Sequence, residues 1–233
     1  MAAGQGKRMG TETAKQYLLL DGKPVLYYAL HAFEESEVDT VVLVTGKDEI
    51  QYCKEEIVGK FGFKKVKAVV PGGKERYHSV ACGLHALGTL PEEIEVVHIH
   101  DGARPFVTPA MISKLIIETR KKEACVIGTP VKDTIKIADE NGCCAQTPPR
   151  NMVWAVQTPQ TFLFDLVNGA YEKLLACEEE LLSQGVQITD DAMVVEKMTD
   201  KKVSLVEGAY TNIKLTTPED LVIAEAFLKK QKK

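Results

Sequence analysis

Short apolar runs alternate along the chain with stretches in which apolar residues return every three or four positions, the signatures of strand and helix. Residues 40–45, Thr-Val-Val-Leu-Val-Thr, form an apolar and β-branched run that predicts a buried strand. Similar runs at 65–70 and 94–100 predict two more, the first of them ending at Pro71-Gly72-Gly73. Helical spacing sets Leu26, Ala29, Leu30 and Phe33 on one face, with Pro24 expected at the first helical position. A polar helix is expected over 47–60, and Val80, Leu84 and Leu87 mark another after the double glycine. Strand and helix alternating at this period predict βαβ units on a parallel sheet.

The second half is less regular. A helix is expected over 111–121, ending in basic residues as the helix dipole prefers, and a strand over 125–128. Residues 134–138, followed by the turn Asp139-Glu140-Asn141-Gly142, predict the first half of a hairpin. This arm returns through Pro148-Pro149-Arg150 to a strand at 152–156. Helices at 161–175 and 190–198 and a strand at 203–207 follow. Thr217-Pro218-Glu219-Asp220 is a helix start, and Leu221, Ala224, Phe227 and Leu228 supply its apolar face. With no repeat, low-complexity segment or linker, one domain over 1–233 is expected, with a protruding β-arm at about 131–153.

Composition narrows the function classes. The chain is 45% hydrophobic and 27% charged with a net charge of −4, which argues against nucleic acid or a membrane surface as partner. No apolar run approaches the roughly 20 residues of a membrane span, and no apolar segment follows a basic N-terminus, so a cytoplasmic protein is expected. The six cysteines form no C-x-x-C pair, and His98-x-His100 has no cysteine near it. Reduced, mostly buried thiols are expected, with Cys143 and Cys144 exposed in a polar turn.

Candidate chemistry begins in the first seventeen residues. Ala2, Ala3, Gly4 and Gly6 let the backbone turn tightly and approach a ligand, and consecutive N–H groups in such a turn attract an anion. Lys7, Arg8 and Lys15 add positive charge suited to a triphosphate. The segment is neither a dinucleotide fingerprint, lacking the third glycine, nor a Walker loop, lacking its spacing and the Ser or Thr after lysine. Ligands of open parallel sheets sit beyond the carboxyl ends of the strands. Two such ends carry unusual residues, Gly72-Gly73-Lys74-Glu75-Arg76 and His100-Asp101-Gly102-Ala103-Arg104. Asp101 suits a hard cation facing phosphates, and its plain alternative is a turn aspartate.

Five further blocks stand in one order: Asp101-Gly-Ala-Arg-Pro-Phe106, Val131-Lys-Asp-Thr-Ile-Lys136, Trp154-Ala-Val-Gln-Thr-Pro-Gln160, Thr189-Asp-Asp-Ala192 and Asn212-Ile-Lys-Leu-Thr-Thr-Pro-Glu-Asp220. With 2–17 and 72–79, they make nearly the whole chain resemble the 2-C-methyl-D-erythritol 4-phosphate cytidylyltransferases. The resemblance implies an α/β, Rossmann-like fold of the nucleotide-diphospho-sugar transferase kind, with a mostly parallel sheet, helices on both faces and a β-arm exchanged in a homodimer. It implies CTP and methylerythritol phosphate as substrates and Mg²⁺ as cofactor. Carried over by residue, it implies that Ala2, Ala3, Gly4, Gly6, Arg8 and Lys15 hold the triphosphate and that Gly73 and Ser79 read cytosine. Asp101 would lie near the metal, with Gly102 and Arg104 beside the ribose and the loop base. Thr134, Arg150 and Lys214 would hold the acceptor, with Thr158 at its edge, and Arg8, Lys15 and Lys214 would be catalytic. Lys74 stands where an acid is expected, and Gly102 where some relatives have alanine.

The chemistry is consistent with these residue types. A phosphate oxygen attacking the α-phosphorus of CTP is already anionic, so cations rather than a general base are required. Accordingly, His98 and His100 are expected as strand residues, and Glu34-Glu35 and Glu178-Glu179-Glu180 as solvated helix faces. The rival readings are a ribitol-5-phosphate cytidylyltransferase and a non-catalytic nucleotide-binding module. In that superfamily a hydrophobic strand feeds the glycine loop, whereas Met1 stands directly before Ala2 here. The expectation is either that residues precede Met1 in the natural gene product or that the fold is weakly stable.

Overall fold

Leu19–Leu20 (β1) and Lys23–Pro24 (β2) pair as a tight hairpin in a computed structural model that describes residues 1–4 and 13–231. Asp21 and Gly22 turn it with φ of 51° and 76°, the doubly positive φ that such short loops demand. Pro24 therefore belongs to a strand, and α1 (Val25–Glu34) starts one residue later than expected. Its predicted face, Leu26, Ala29, Leu30 and Phe33, is buried.

The β-branched run forms β3 (Val41–Thr45), followed by a 3₁₀ turn at Lys47–Glu49, α2 (Ile50–Tyr52) and a π-helical stretch at Cys53–Gly59. β4 (Val66–Pro71) runs parallel to β3. α3 (Arg76–Gly88), β5 (Val96–Ile99) and α4 (Pro109–Lys122) come next, the last capped by Thr108 accepting from Met111 N–H at 3.3 Å. β6 (Ala124–Pro130) is buried almost throughout. The arm consists of β7 (Ile137–Ala138) and β8 (Cys144–Gln146), turned at Gly142 with φ 77° and braced by Asp139, which accepts from the N–H groups of Asn141 and Cys143. Every residue of these two strands is exposed.

β9 (Trp154–Leu163) departs most from expectation, because the helix expected from 161 begins only at α5 (Phe164–Ala176). Thr161 and Phe162 are fully buried in the sheet. Their neighbours are polar, and distant groups satisfy them: Gln160 donates to Asp190 at 2.8 Å and accepts from Ala192 N–H at 2.8 Å. A strand of that kind carries no apolar period. α6 (Glu178–Ser183), α7 (Asp191–Met198), β10 (Ser204–Glu207) and α8 (Pro218–Gln231) complete the order.

The larger sheet is ordered β10-β6-β9-β5, with β10 and β6 parallel and β9 antiparallel to both neighbours. Ala124 faces α5 and α7 through Tyr171, Leu174 and Val194, while Cys125 and Ile127 face Leu115 of α4, so helices cover both faces. β3 and β4 form a separate pair. Among the described residues Met1 and Ala2 link the two sheets through backbone: Ala2 N–H donates to Val44 at 2.6 Å, and Gly102 N–H donates to Met1 at 2.8 Å. Below that link, a cavity of about 530 Å³ lies between β3 and β5, lined by Phe33, Val42, Val97 and His98. Among the described residues no helix is long and apolar enough to cross a membrane.

Candidate active site

Three chain turns meet beyond the ends of β3, β4 and β5. Gln16, 2% exposed, donates its amide to the carbonyls of Ala2 at 2.6 Å and Gly4 at 3.2 Å, which sets the first turn. The next residue, Tyr17, reaches Thr45 at 2.7 Å and Glu49 at 3.0 Å, so the short helical turn carrying Lys15 is anchored to β3. Gly72 lies where a Cβ would be 2.6 Å from both Ala3 Cβ and Ser79 Oγ, so only glycine permits these two turns to touch. Ser79 Oγ accepts from Gly73 N–H at 3.0 Å and holds the second turn in place.

A cavity of about 480 Å³ opens among them. It brings together Ala2, Ala3, Gly4, Lys15, Gly73, Ser79, Asp101 and Lys214 of the residues anticipated from sequence. Gln16, Lys74, Glu75 and Arg76 also line it, and of these Arg76 carries the most charge chemistry. Lys74 thus adds a cation where an acid was expected.

Asp101 is the electrostatic centre. Lys214 Nζ lies 2.6 Å from its Oδ2, and Arg76 approaches Oδ1 at 3.6 Å. Burial by itself would raise this carboxyl, but the charges of Arg76 and Lys214, with the hydrogen bond from Lys214, hold it well below the usual carboxylate range. Its N–H donates to Thr158 Oγ1 at 3.0 Å, and that hydroxyl also meets His100 Nδ1 at 3.1 Å. Arg104 clamps the loop by donating to Asn212 O at 2.8 Å, and Leu215 N–H donates to Ala103 O at 2.9 Å. These bonds bring Lys214 to Asp101.

Other anticipated residues lie elsewhere. Gly102 gives its N–H to Met1 and admits Leu26, whose Cδ1 would be 2.8 Å from an added Cβ, and it does not line the cavity. Thr158 is buried behind Asp101. Thr134 and Arg150 are exposed on the arm, 3.4 Å apart, and neither lines the cavity. Gly6 and Arg8 lie outside the described residues. His98, half-buried within β5, and His100, buried just beyond its end, have their pKa lowered by desolvation to about 4 and about 3. Two acids expected as solvated have partners: Glu34 accepts from the N–H groups of Lys64 and Lys65, and Glu178 accepts from Tyr77.

Among the described residues no three His, Cys, Asp or Glu side chains cluster as a metal cage. One carboxylate facing a polyanion pocket still fits Mg²⁺, which commonly takes one or two carboxylates and completes its shell with phosphate and water. Asp101 is in that position.

A family profile described as IspD, 2-C-methyl-D-erythritol 4-phosphate cytidylyltransferase, matches residues 1–230. The chain is similar to the 2-C-methyl-D-erythritol 4-phosphate cytidylyltransferase of Lachnoclostridium phytofermentans, at 48% identity over 98% of this chain and 94% of that one. The enzyme of the same description from Geotalea uraniireducens is 47% identical over 98% and 94%. A crystal structure of 4-diphosphocytidyl-2C-methyl-D-erythritol synthase from Anaerococcus prevotii matches at a TM-score of 0.81 and 35% identity, covering 98% of this chain and 93% of that one.

Proposed function

The chain belongs to the 2-C-methyl-D-erythritol 4-phosphate cytidylyltransferase family, and from that premise we propose how its own residues divide the work. It transfers a cytidylyl group from CTP to 2-C-methyl-D-erythritol 4-phosphate, releasing pyrophosphate and giving 4-diphosphocytidyl-2-C-methyl-D-erythritol for isoprenoid synthesis. The observation that carries the residue assignment is the pocket itself, glycine turns and cations gathered around Asp101 at the strand ends.

Two polyanions must meet there. The backbone of Ala2, Ala3, Gly4 and Gly6 cradles the triphosphate, and Arg8 forks onto its outer oxygens. Gly73 and Ser79 form the tight side of the pocket that accepts cytosine and excludes a purine. Lys15 and Lys214 act as point charges on the reacting phosphates as negative charge grows in the transition state. Lys214 leaves Asp101 to do so, which leaves that carboxylate available to a cation. Mg²⁺, when bound, supplies charge neutralisation and orientation, with Asp101 as the residue that would hold it. The attacking oxygen needs no base.

The acceptor side draws on Lys214, Thr158 and the arm. Thr134, in the chain before β7, and Arg150, in a short 3₁₀ turn after β8, sit together on the exposed arm away from their own pocket, which supports an arm that serves a second copy in a homodimer. Chain 1–233 acts as one catalytic domain in this reading, in the cytoplasm, where free thiols stay reduced. The test is CTP-dependent pyrophosphate release with methylerythritol phosphate or ribitol 5-phosphate as acceptor. Release with the first and little with the second is expected. Faster release with ribitol 5-phosphate would overturn the acceptor, and none with either would overturn catalysis.

A further inference from the structure

Arg76 enters the pocket from the first turn of α3, yet most of its hydrogen-bonding capacity is directed away from the ligand space. Its two terminal nitrogens donate to the two oxygens of Asp191, at 2.8 and 2.7 Å, a planar two-point fork. Asp191 is fully buried and takes a third bond from the hydroxyl of Tyr171 at 2.6 Å. The adjacent Asp190 does different work, capping α7 through Met193 N–H at 2.9 Å. Only the outer edge of the guanidinium is left toward Asp101 Oδ1.

We propose that Asp191 is a positioning residue of the nucleotide pocket, acting through Arg76 to orient Asp101. The fork determines where the guanidinium stands, the guanidinium steadies Oδ1, and Oδ2 is left to Lys214. When Lys214 moves to the reacting phosphates, Asp101 keeps one cation and hence its charge and direction. The same tether stops Arg76 from following the triphosphate, where it would bind substrate and transition state alike and give no rate advantage. Stability alone is a weak reason for such a pair, because well-packed apolar residues can replace a buried ion pair at little cost or with a gain. An oriented guanidinium at the pocket wall is something apolar packing cannot provide.

The inference rests on the cavity being the CTP site, which pyrophosphate release by the unmodified enzyme tests separately. Asp191→Asn keeps the shape but faces one guanidinium N–H with an amide N–H. It should raise KM for CTP and lower kcat/KM for CTP roughly 10- to 100-fold, the scale of a lost charged hydrogen bond, with KM for the acceptor unchanged. Tyr171→Phe, a milder change that retains the ring, should shift the same constants in the same direction by less. Replacing Arg76 as well removes the intermediary, so Arg76→Met with Asp191→Asn should be no worse than Arg76→Met alone. Rates are taken per folded molecule, measured by near-ultraviolet circular dichroism. A lowered Tm with unchanged constants for CTP, in Asp191→Asn or in Tyr171→Phe if the first does not fold, would overturn the proposal. Losses that multiply in the double variant would do so too.

Discussion

Joining six apolar, β-branched residues to the nitrogen of Met1 should raise the melting temperature by about 6–24 °C. Among the described residues β3 and β5 each present an open edge, and Met1 with Ala2 already runs between their ends, bonded to Val44 on one side and to His100 and Gly102 on the other. The bridge of Ala2 to Thr45 is parallel, so chain added before Met1 would continue into the cavity between the edges. Burying six side chains at about 2 kcal/mol each is nearly cancelled by ordering six residues at about 2 kcal/mol each. The gain comes from about six new backbone bonds at roughly 1 kcal/mol. Net stabilisation is then about 3–6 kcal/mol, at roughly 2–4 °C per kcal/mol for a chain of this size.

The extension also removes a buried charge. The Met1 ammonium donates to His100 O at 2.7 Å, and desolvation lowers its pKa from 8.0 to about 6, against the pull of Asp101. In a chain that starts at Met1, the unfolded state binds more protons between those values, so its stability should climb from about pH 6 to pH 8, the penalty being complete below about 6. Acylation of Met1, or the extension, should abolish that slope. The separate rise contributed by neutral His98 and His100, from their folded values near 4 and 3 up to 6.5, should remain. The assay is thermal melting at pH 6 and pH 8 beside a control extension of serine and aspartate. If the apolar extension melts with the control, the β3 and β5 edges are not a strand seat and the central placement of the glycine loop is mistaken.

Lys15→Ala should leave the circular dichroism spectrum intact and lower kcat roughly 100- to 1,000-fold, and a near-normal kcat would remove Lys15 from the catalytic set. Gly72→Ala must separate turns whose atoms would lie 2.6 Å from the new Cβ, so KM for CTP should rise about tenfold and stability should fall by about 1–3 kcal/mol. Inactive Lys15→Ala and Arg150→Ala homodimers, mixed and allowed to exchange, should recover roughly a quarter of the sites, because each mixed dimer holds one site free of both lesions. No recovery, with exchange verified by mass spectrometry, would place both residues in one subunit's site.

Local pattern reached the element types and several faces. Leu26, Ala29, Leu30 and Phe33 are buried at the predicted spacing, Ala224 and Leu228 likewise, and Asp139 and Gly142 turn the arm where the turn residues stood. The same signal failed at β9, because Gln160 and Thr161 are buried by partners on α7 and β5 rather than by apolarity. Pro24 was misplaced by one step because a proline before a helix and a proline ending a strand look alike until β1 is seen to pair with it.

Residue type and spacing also marked the glycine turns, Lys15 and Asp101, since they carry the tight turns and charges a polyanion needs, and the family resemblance of its block marked Lys214. Their arrangement was a different matter. Arg76 and Asp191 are 115 residues apart, and only packing of α3 and α7 on one face of the sheet makes them a fork. Lys214 meets Asp101 because Arg104 and Asn212 stitch two loops together, and Thr134 and Arg150 miss the pocket because β7 and β8 carry the arm outward. Periodicity reports how each segment meets water within a few residues of itself, whereas an ion pair between distant segments depends on which strands become neighbours, and strand order is a property of the packed chain alone.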